Sequence, residues 1–467
     1  MKLKRTLSLN DSVSILVSSI VGSGIFVTTG FVLLEIKNPF FVLLIWFIGG
    51  IFALAGALTY SFPAVIFPRA GGDYIYLKES YSPLVGFLSG WVAFVANLTA
   101  NISFLAISFG THLLILFPEW KNFPKSQFKL NLIDFGKFQF SITLEFGFLQ
   151  VVGAILISIF TYLHIRGIKR GIFIQNLLTL IKLLGLILFV ITGFLLGTKD
   201  WSNFSDNMTI PSFGDTIKGI LLGIVPVSFA YLGWNSATYI AGEVQDPEKN
   251  IPKSTLIACL LVIILYLSIN LLYLSSTNVE NLVGKNEIGV ISATSLFGSW
   301  VRPLILGFIL LMFMGSISAI IFSASRVYYG MANEKLFFPS LGEIHPKFGT
   351  PYKSLLAQGI YSIILLFVND FASLLYMITC SVFILSTITA FTPFILKIKG
   401  YTSSYKIPLF PFTPIFFILG NILLIIYLAY TYPEKATMGI FLTLLGIPVY
   451  FIFKNKFSGV KENISDS

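Results

Sequence analysis

Long uncharged apolar stretches alternate with short charged segments along the whole chain. An apolar stretch of about 18 residues or more is long enough to cross a bilayer as a helix. By this criterion the pattern predicts twelve spanning helices, at 12–34, 39–66, 84–112, 146–165, 168–197, 217–242, 254–277, 303–326, 354–369, 371–396, 409–432 and 436–453. The ninth stretch is short, and a turn at Asn369-Asp370 separates it from the tenth. The fold is therefore expected to be an all-α integral membrane bundle.

Two of these stretches are interrupted near their middle. The first, 12–34, contains Gly22-Ser23-Gly24, and glycine weakens a helix. The sixth, 217–242, contains Pro226 and the run 230–235. Irregular backbone at membrane depth is tolerated only where it is buried in protein or lines a cavity. Interrupted spans at corresponding places in two halves are typical of a transporter with its binding site at the bilayer midplane.

The amount and placement of charge agree with a multi-pass membrane protein. Only 11% of the residues are charged, against roughly 25% in soluble domains. With the N-terminus inside, 20 of the 31 lysines and arginines fall on the cytoplasmic side and 10 outside, while Lys182 lies within a span. Because cytoplasmic loops carry the excess of basic residues, we expect both termini in the cytoplasm and the protein in the cell membrane. The net charge of +10 is spread over the inner loops, which favours contact with anionic lipid over a nucleic-acid partner.

The first interruption has the chemistry of a zwitterion site. If the helix unwinds at 22–24, a half-helix begins there with free amides at the positive end of its dipole. Such an end binds a carboxylate without a cationic side chain. The carbonyls released just before it, near Ser19 and Ile20, can accept hydrogen bonds from an ammonium group. An amino acid meets both demands, whereas the alternative interpretation is close helix packing through small residues.

The second interruption adds carbonyls and aromatic side chains. Unwound carbonyls near Phe229 and Ala230 would complete the ammonium site, and the Phe229 ring would cover it as an apolar lid. The alternative for Phe229 and Trp234 is ordinary packing in the protein core.

Four ordered groups of motifs run along the chain, over residues 10 to about 400. The motifs are Gly22-Ser23-Gly24-Ile25-Phe26; Pro68 to Leu77 with Gly86-Phe87-Leu88 and Trp91; Phe229-Ala230-Tyr231 and Gly233-Trp234-Asn235 with Glu243, Asp246-Pro247 and Asn250-Ile251-Pro252; and Ser325-Arg326-Val327 with Met331-Ala332, His345-Pro346 and Thr350-Pro351. This ordered set resembles the motifs of the APC (amino acid–polyamine–organocation) transporter superfamily, and the chain is most similar to its L-type amino acid transporter branch.

The resemblance implies a leucine-transporter-type fold of two inverted five-helix repeats, 1–200 and 201–398, followed by two C-terminal helices in 399–467. It also implies secondary transport of amino acids by alternating access, as an exchanger or a proton-coupled symporter. The alternatives are transport of polyamines or other organic cations, and a nutrient sensor built on a transporter scaffold. No cofactor is expected, apart from H⁺ as a coupling ion.

The resemblance places substrate contacts on both interruptions. Together with the reasoning from the residues, it gives a predicted substrate-binding set of Ile20, Gly22, Ser23, Gly24, Phe229, Ala230, Leu232 and Trp234. Relatives often carry glycine or aspartate where this chain has Leu232, and glutamate where it has Phe62. A leucine side chain would shrink the pocket and make it apolar, so we expect a neutral substrate of small or medium size.

Lys182 is the only formal charge near the middle of a predicted span. An ionisable residue inside the membrane is expensive and is by default a functional candidate. The resemblance implies that its amine occupies the place where sodium-coupled relatives bind their ion, and tethers the first helix to the fifth through backbone carbonyls. It would act as a proton carrier in symport or as a fixed charge in exchange. The alternative is a side chain that reaches to the membrane interface.

The segment from Pro68 to Tyr76 is predicted to form a tight turn and a short inner helix. The resemblance implies that it helps to form an inner gate, with Phe229, Arg69 and Glu243 as gating residues. In that gate Arg69 or Asp73 would pair with Glu243 or Arg326.

Other classes of function find little support in the sequence. His112, His164 and His345 are far apart, and neither a metal-binding spacing nor a nucleophile elbow occurs, so no catalytic residue and no metal site are predicted. A channel would need repeated rings of acidic or carbonyl groups rather than two breaks. Eukaryotic L-type transporters join a heavy chain through a cysteine in the loop that corresponds to 118–145, and this loop contains none. We therefore expect no disulfide-linked heavy chain.

Overall fold

The computed structural model describes residues 3–135, 138–204, 212–368 and 371–458. Its helices are α1 (Leu9–Ile20), α2 (Gly24–Glu35), α3 (Pro39–Ile66), α4 (Asp73–Ser80), α5 (Pro83–Val92), α6 (Leu98–Leu116), α7 (Phe148–Ile165), α8 (Ile168–Leu196), α9 (Phe213–Ala230), α10 (Ser236–Tyr239), α11 (Pro247–Ser276), α12 (Ile288–Phe297), α13 (Arg302–Asn333), α14 (Tyr352–Leu366), α15 (Phe371–Ala390), α16 (Thr392–Ile398), α17 (Phe412–Thr431), α18 (Pro433–Leu444) and α19 (Gly446–Ser458). The strands are β1 (Ser126–Phe135) and β2 (Phe138–Phe146), and a π-helical segment, Ala93–Asn97, connects α5 to α6. The predicted turn at Asn369-Asp370 lies outside the described residues.

The helices agree with a multi-pass membrane protein. Ten of the described helical segments are long and apolar enough to cross a bilayer, and the bent pair α1 and α2 makes up to eleven. The predicted ninth span corresponds to α14, an apolar helix of 15 residues. The prediction of twelve spans is consistent with this arrangement.

Both predicted helix interruptions are present. A capping box between Ser8 and Asp11 starts α1, which ends at Ile20, and α2 begins at Gly24 with its axis bent by 42°. In the sixth span Pro226 does not interrupt the helix: α9 continues through it and ends at Ala230, and a turn leads to the short helix α10.

The eighth predicted span, 303–326, ends too early. Helix α13 continues to Asn333 and buries Arg326 within the bundle. Arg326 is therefore a second charge buried inside a helical span. The helix tolerates this arginine because Glu243 neutralises it and the Phe322 ring lies 3.7 Å from the guanidinium carbon.

The expected helical membrane fold is confirmed, and one element beside the helices is a β-hairpin. Strands β1 and β2 pair antiparallel in the segment that was expected to be a loop, with Ser126 opposite Phe146. Polar and apolar residues alternate over 127–132, and this period of two is the signal that could have predicted a strand. The hairpin is held to the end of α14, where the Glu145 amide donates to the Phe367 carbonyl at 2.8 Å.

The two ends of the bundle can be told apart by their contacts. Near the N-terminus Leu7 pairs with Val244, and Lys78 on α4 forms an ion pair with Glu334 just after α13. The end of α19 joins the same end of the bundle, because the Phe453 ring packs on the α5 side chain Phe87. We call this end the terminal face and the opposite end, which carries β1 and β2, the hairpin face.

Candidate functional site

The two helix interruptions touch each other at the centre of the bundle. A methyl group added to Gly24 would lie 2.6 Å from the Ala230 Cα atom. In the other direction, a methyl group on Gly233 would lie 2.6 Å from the Ser19 carbonyl oxygen, and Gly233 has a φ of +105° that favours glycine. Backbone therefore packs against backbone here, and the structure brings the residues predicted from both breaks into one place.

The start of α2 presents amides without backbone acceptors. Within the described part of the chain, the Ser23 and Gly24 amides donate to no backbone carbonyl, and no side chain caps the helix. Gly22, Ser23 and Gly24 are also partly exposed, although they lie in the middle of the bundle. An uncapped, partly accessible helix start with a positive dipole end is suited to bind a carboxylate.

Tyr266 of α11 connects the two breaks and was missed by the sequence analysis. Its hydroxyl lies 3.1 Å from the Ile20 carbonyl oxygen and 3.2 Å from the Ala230 carbonyl oxygen, so it can donate to either of the two helix ends. A buried tyrosine hydroxyl usually needs a partner, and an unwound helix is one of the few sources of free carbonyls in an apolar bundle. That requirement is the signal that could have identified it.

Lys182 caps the end of α1. Its Nζ atom donates to the Ser18 carbonyl at 3.2 Å and to the Val21 carbonyl at 3.0 Å. Its third contact is the Ser316 hydroxyl of α13, at 2.8 Å. The side chain is 0% exposed, so the alternative of a lysine that reaches to the interface is wrong. A cation at the carboxyl end of a helix is favoured by the helix dipole.

The neighbouring helix is shaped to admit this lysine. A methyl group on Gly315 would lie 2.5 Å from the Lys182 Cε atom. The Ser316 hydroxyl, which contacts Lys182, also lies 3.1 Å from the Val21 carbonyl. Lys182 thus joins α1, α8 and α13 at the first break.

The side chains of the second break face a small cavity and an aromatic cluster. Leu232 and Trp234 line a cavity with an empty volume of ≈ 320 Å³. Trp234 is buried, with its ring centroid 4.8 Å from that of Tyr60 and 5.3 Å from that of Phe417. Core packing therefore accounts for most of its contacts. Phe229 is half-buried and lies 6.3 Å from the Phe383 ring.

The pairing expected at the inner gate is wrong. Glu243 pairs with Arg326 at 2.6 Å, and both are buried, while Arg69 pairs with Glu79 at 2.9 Å and Glu334 at 3.8 Å. The expected pairs joined Arg69 or Asp73 to Glu243 or Arg326. The buried Glu243 carboxylate requires a buried cation, and Arg69 is half exposed. The amides of Thr6 and Leu7 donate to the Glu243 carbonyl, so the pair also holds the N-terminal segment.

The structure also defines the surroundings of Phe62 and the state of the two cysteines. Phe62 is buried, and the Lys397 amine lies 5.6 Å from the centre of its ring. Cys259 and Cys380 are buried free thiols. No group of three or more potential metal ligands occurs among the described residues.

Comparisons with known proteins identify the family of the chain. The amino acid permease family model matches residues 7–453. Serine/threonine exchanger SteT of Bacillus subtilis is 30% identical, over 97% of this chain and 98% of its own length. Large neutral amino acids transporter small subunit 2 of Mus musculus is 28% identical, over 96% and 81%. Cystine/glutamate transporter of Homo sapiens is 26% identical, over 97% and 86%. The resemblance seen in the motifs is confirmed, and the chain belongs to the amino acid permease family, within the APC superfamily.

Proposed function

We propose that this protein exchanges amino acids across a membrane by alternating access. The observation that carries the proposal is the contact between the two broken helices, which places free amides at the start of α2 beside the carbonyls at the ends of α1 and α9. Donors for a carboxylate and acceptors for an ammonium group thus lie within one small region of the bundle. The named relatives include an exchanger and two amino acid transporters, which supports the same substrate class.

The substrate carboxylate binds the Ser23 and Gly24 amides, and its ammonium group binds carbonyls near Ile20 and Phe229. These carbonyls already accept protein hydrogen bonds, from Tyr266 and from the Leu232 amide respectively. A carbonyl oxygen has two lone pairs, so each can accept a second donor. Phe229 covers the bound substrate and acts as a gate.

The substrate side chain is neutral and of small or medium size. It points toward Phe229, Leu232 and the cavity that Leu232 shares with Trp234. Neither break carries an acidic side chain, which favours an amino acid over a polyamine at the central site.

Lys182 serves as a fixed positive charge, and this favours exchange over proton symport. An ammonium group has three N–H donors, and Lys182 has three acceptors in place. A neutral amine has only two N–H donors, so at least one of these three oxygen atoms would no longer receive a hydrogen bond from Lys182. In this role the amine stands where a coupling cation would otherwise hold α1 to α8.

The terminal face lies in the cytoplasm and the hairpin face outside, in the cell membrane. The excess of basic residues on the terminal side supports this orientation. The two repeats 1–200 and 201–398 each contribute one broken helix to the site, and 399–467 supplies the last two spans. No cysteine lies in 118–145, so the protein works without a disulfide-linked heavy chain.

The test is uptake of labelled neutral amino acids into proteoliposomes. One set of vesicles is preloaded with unlabelled amino acids and has no proton gradient, and the other is empty with an inward proton gradient. Uptake only into preloaded vesicles is expected for an exchanger. Uptake into empty vesicles driven by the gradient would instead mean proton symport, and no uptake in either set would overturn the substrate class.

A further inference from the structure

A second cavity lies next to the break in the sixth span, on the side of the terminal face. Its empty volume is ≈ 420 Å³. It adjoins the cavity at Leu232, because Val382 and Ser386 line both. Its polar lining comes from α4, α5, the π-helical segment, the α9–α10 connection, α10 and α15, and consists of Asp73, Ser89, Asn97, Asn235, Tyr239 and Ser386. No basic residue lines it among the described part of the chain.

The Asp73 carboxylate is incompletely bonded at this cavity. Oδ2 accepts only a long hydrogen bond from the Tyr239 hydroxyl, at 3.4 Å. Oδ1 is buried and has no partner among the residues that the structure describes. An unpaired carboxylate oxygen away from water is costly, so a donor is expected from outside the protein.

The neighbouring cations are bound elsewhere. Arg69 and Lys78, on either side of Asp73 in the chain, pair with Glu79 and Glu334. Arg326 of α13 is held by Glu243. No ion pair to Asp73 forms within the described ranges, which leaves a single negative group in a cavity of otherwise neutral lining.

Burial raises the pKa of the Asp73 carboxyl from its ordinary value to about 7, and the hydrogen bond from Tyr239 acts in the opposite direction. The titratable groups that interact with it are the phenols Tyr60 of α3, Tyr76 of α4 and Tyr239 of α10. Four further helices pack against α4. Helices α5 and α15 contain no charged residue. Arg326 of α13 is already paired with Glu243, and the Lys397 amine of α16 lies over the Phe410 ring.

A distorted helix forms another wall of the cavity. Ala93 and Asn97, the first and last residues of the π-helical segment, both line it. The Ala93 carbonyl accepts from the Tyr328 hydroxyl at 3.2 Å, and the Val95 carbonyl accepts from the Tyr361 hydroxyl at 3.1 Å. Side chains from two other helices thus stabilise this segment, and π-helical turns inside α-helices are frequent at functional sites.

We propose that this cavity is a second substrate subsite, in which the Asp73 carboxylate binds the ammonium group of an amino acid that passes between the central site and the terminal face. The inference rests on the proposed function. The lining offers an acidic group and neutral hydrogen-bonding groups, so it attracts the ammonium end and disfavours the carboxylate end. Asn235 and Tyr239 directly follow the break, which places this subsite next to the central site along the same path.

The test compares the two faces in proteoliposomes that hold the protein in one orientation. The KM for exchange is measured separately for amino acid supplied at the terminal face and at the hairpin face. Asp73→Asn keeps the shape and removes the charge, so the KM at the terminal face is expected to rise about tenfold or more while that at the hairpin face stays unchanged. Asp215→Asn, which removes an exposed carboxylate at the start of α9, is the matched control and leaves both values unchanged.

A second readout is the pH in the compartment at the terminal face. Since the pKa of Asp73 is raised to about 7, its carboxyl is mostly protonated at about pH 6 and mostly ionised at about pH 8. The KM of the parent protein at that face should fall as the pH rises through this range, and the KM of Asp73→Asn should not change.

Each outcome separates the subsite from the transport function. If the parent protein exchanges amino acids and the Asp73→Asn variant has the same KM values at both faces, the subsite proposal is wrong and the cavity holds only water. Equal rises at both faces overturn it as well, because they mean a general defect. If Asp73→Asn does not fold, Asp73→Glu replaces it, because glutamate keeps the charge. Its KM must then depend on pH at the terminal face and not at the hairpin face. If the parent protein shows no exchange activity, the proposed function itself is wrong.

Discussion

Lys182 shows at the scale of one residue how a charge is kept inside the membrane. Its three acceptors include two carbonyls that the end of α1 leaves unpaired, so the lysine and the broken helix stabilise each other. Its mid-span position predicted burial, and the resemblance to the APC superfamily implied backbone carbonyls as its partners. It did not identify Ser316, which lies 134 residues away in the chain.

Lys182→Ala is expected to abolish exchange. The substitution leaves the Ser18 carbonyl without a donor, at a cost of about 1–3 kcal/mol for a buried group, and leaves the Val21 carbonyl with only the Ser316 hydroxyl. It also removes the lysine link between α1 and α8. Exchange in proteoliposomes should fall by at least about tenfold. Lys199→Ala is the matched control, because Lys199 binds carbonyls at the end of α8, away from the breaks. Full exchange by Lys182→Ala would reduce Lys182 to a structural role.

Tyr266→Phe is expected to impair exchange through the loss of one hydroxyl. This hydroxyl contacts both broken helices, so its removal should slow exchange and lower the free energy of unfolding by about 1 kcal/mol. Tyr273→Phe on the same helix is the control, since the Tyr273 hydroxyl has no partner among the described residues. Exchange rates and thermal unfolding in detergent measure both effects. Equal behaviour of the two variants would contradict a bridging role.

At the scale of the elements, the site depends on the close approach of two interrupted helices. The interruptions were visible in the sequence because glycine and proline are conspicuous within long apolar stretches. Their contact was not, because the spacing of Gly24 and Gly233 does not show which backbone each one meets. The hairpin of β1 and β2 was also missed, since only the apolar runs were used to assign elements.

Gly24→Val is expected to abolish exchange and to destabilise the protein. The added side chain meets the Ala230 backbone and would separate α2 from α9, so lost activity alone would not prove that the Gly24 amide binds a carboxylate. The control is Gly214→Ala in the first turn of α9, where an added methyl group meets nothing within 4 Å. That variant should keep exchange and gain about 0.5–1 kcal/mol in unfolding free energy. The measurements are uptake and thermal unfolding, and normal transport by Gly24→Val would contradict the site.

At the scale of the whole molecule, a buried ion pair fastens the terminal face. Glu243 and Arg326 join the segment after α10 to α13, and the Glu243 carbonyl also holds the N-terminal residues Thr6 and Leu7. The half-exposed residue Arg69 belongs to a separate cluster at the surface. The terminal face is thus closed by a buried pair and a more exposed group of charges.

Glu243→Gln is expected to lower the free energy of unfolding by about 3–5 kcal/mol, because it leaves the Arg326 charge buried without its partner. The double variant Glu243→Gln with Arg326→Gln should lose less than the sum of the two single variants. Glu280→Gln, which breaks the exposed pair with Lys37, is the control and should change stability by no more than about 1 kcal/mol. Thermal unfolding measures the stability of the two single variants, the double variant and the control. Strictly additive losses of unfolding free energy in the double variant would argue against a coupled pair.

The sequence by itself determined the membrane class, the approximate spans, both helix breaks and the family. It could do so because a membrane helix must satisfy its backbone hydrogen bonds internally over about 20 apolar residues, and any departure from that rule is visible locally. The burial of Lys182 followed from the same rule. These features depend on residues that are close together in the chain.

Only the tertiary structure decided which groups pair across the bundle. Gly24 contacts Ala230, Tyr266 bridges the two broken helices, and Glu243 pairs with Arg326 rather than Arg69. The incomplete bonding of Asp73 likewise depends on residues from several helices. Such partners depend on how far and at what angle each helix packs on its neighbours. A side chain's burial and its available donors are therefore properties of the packed bundle, and local sequence does not contain them.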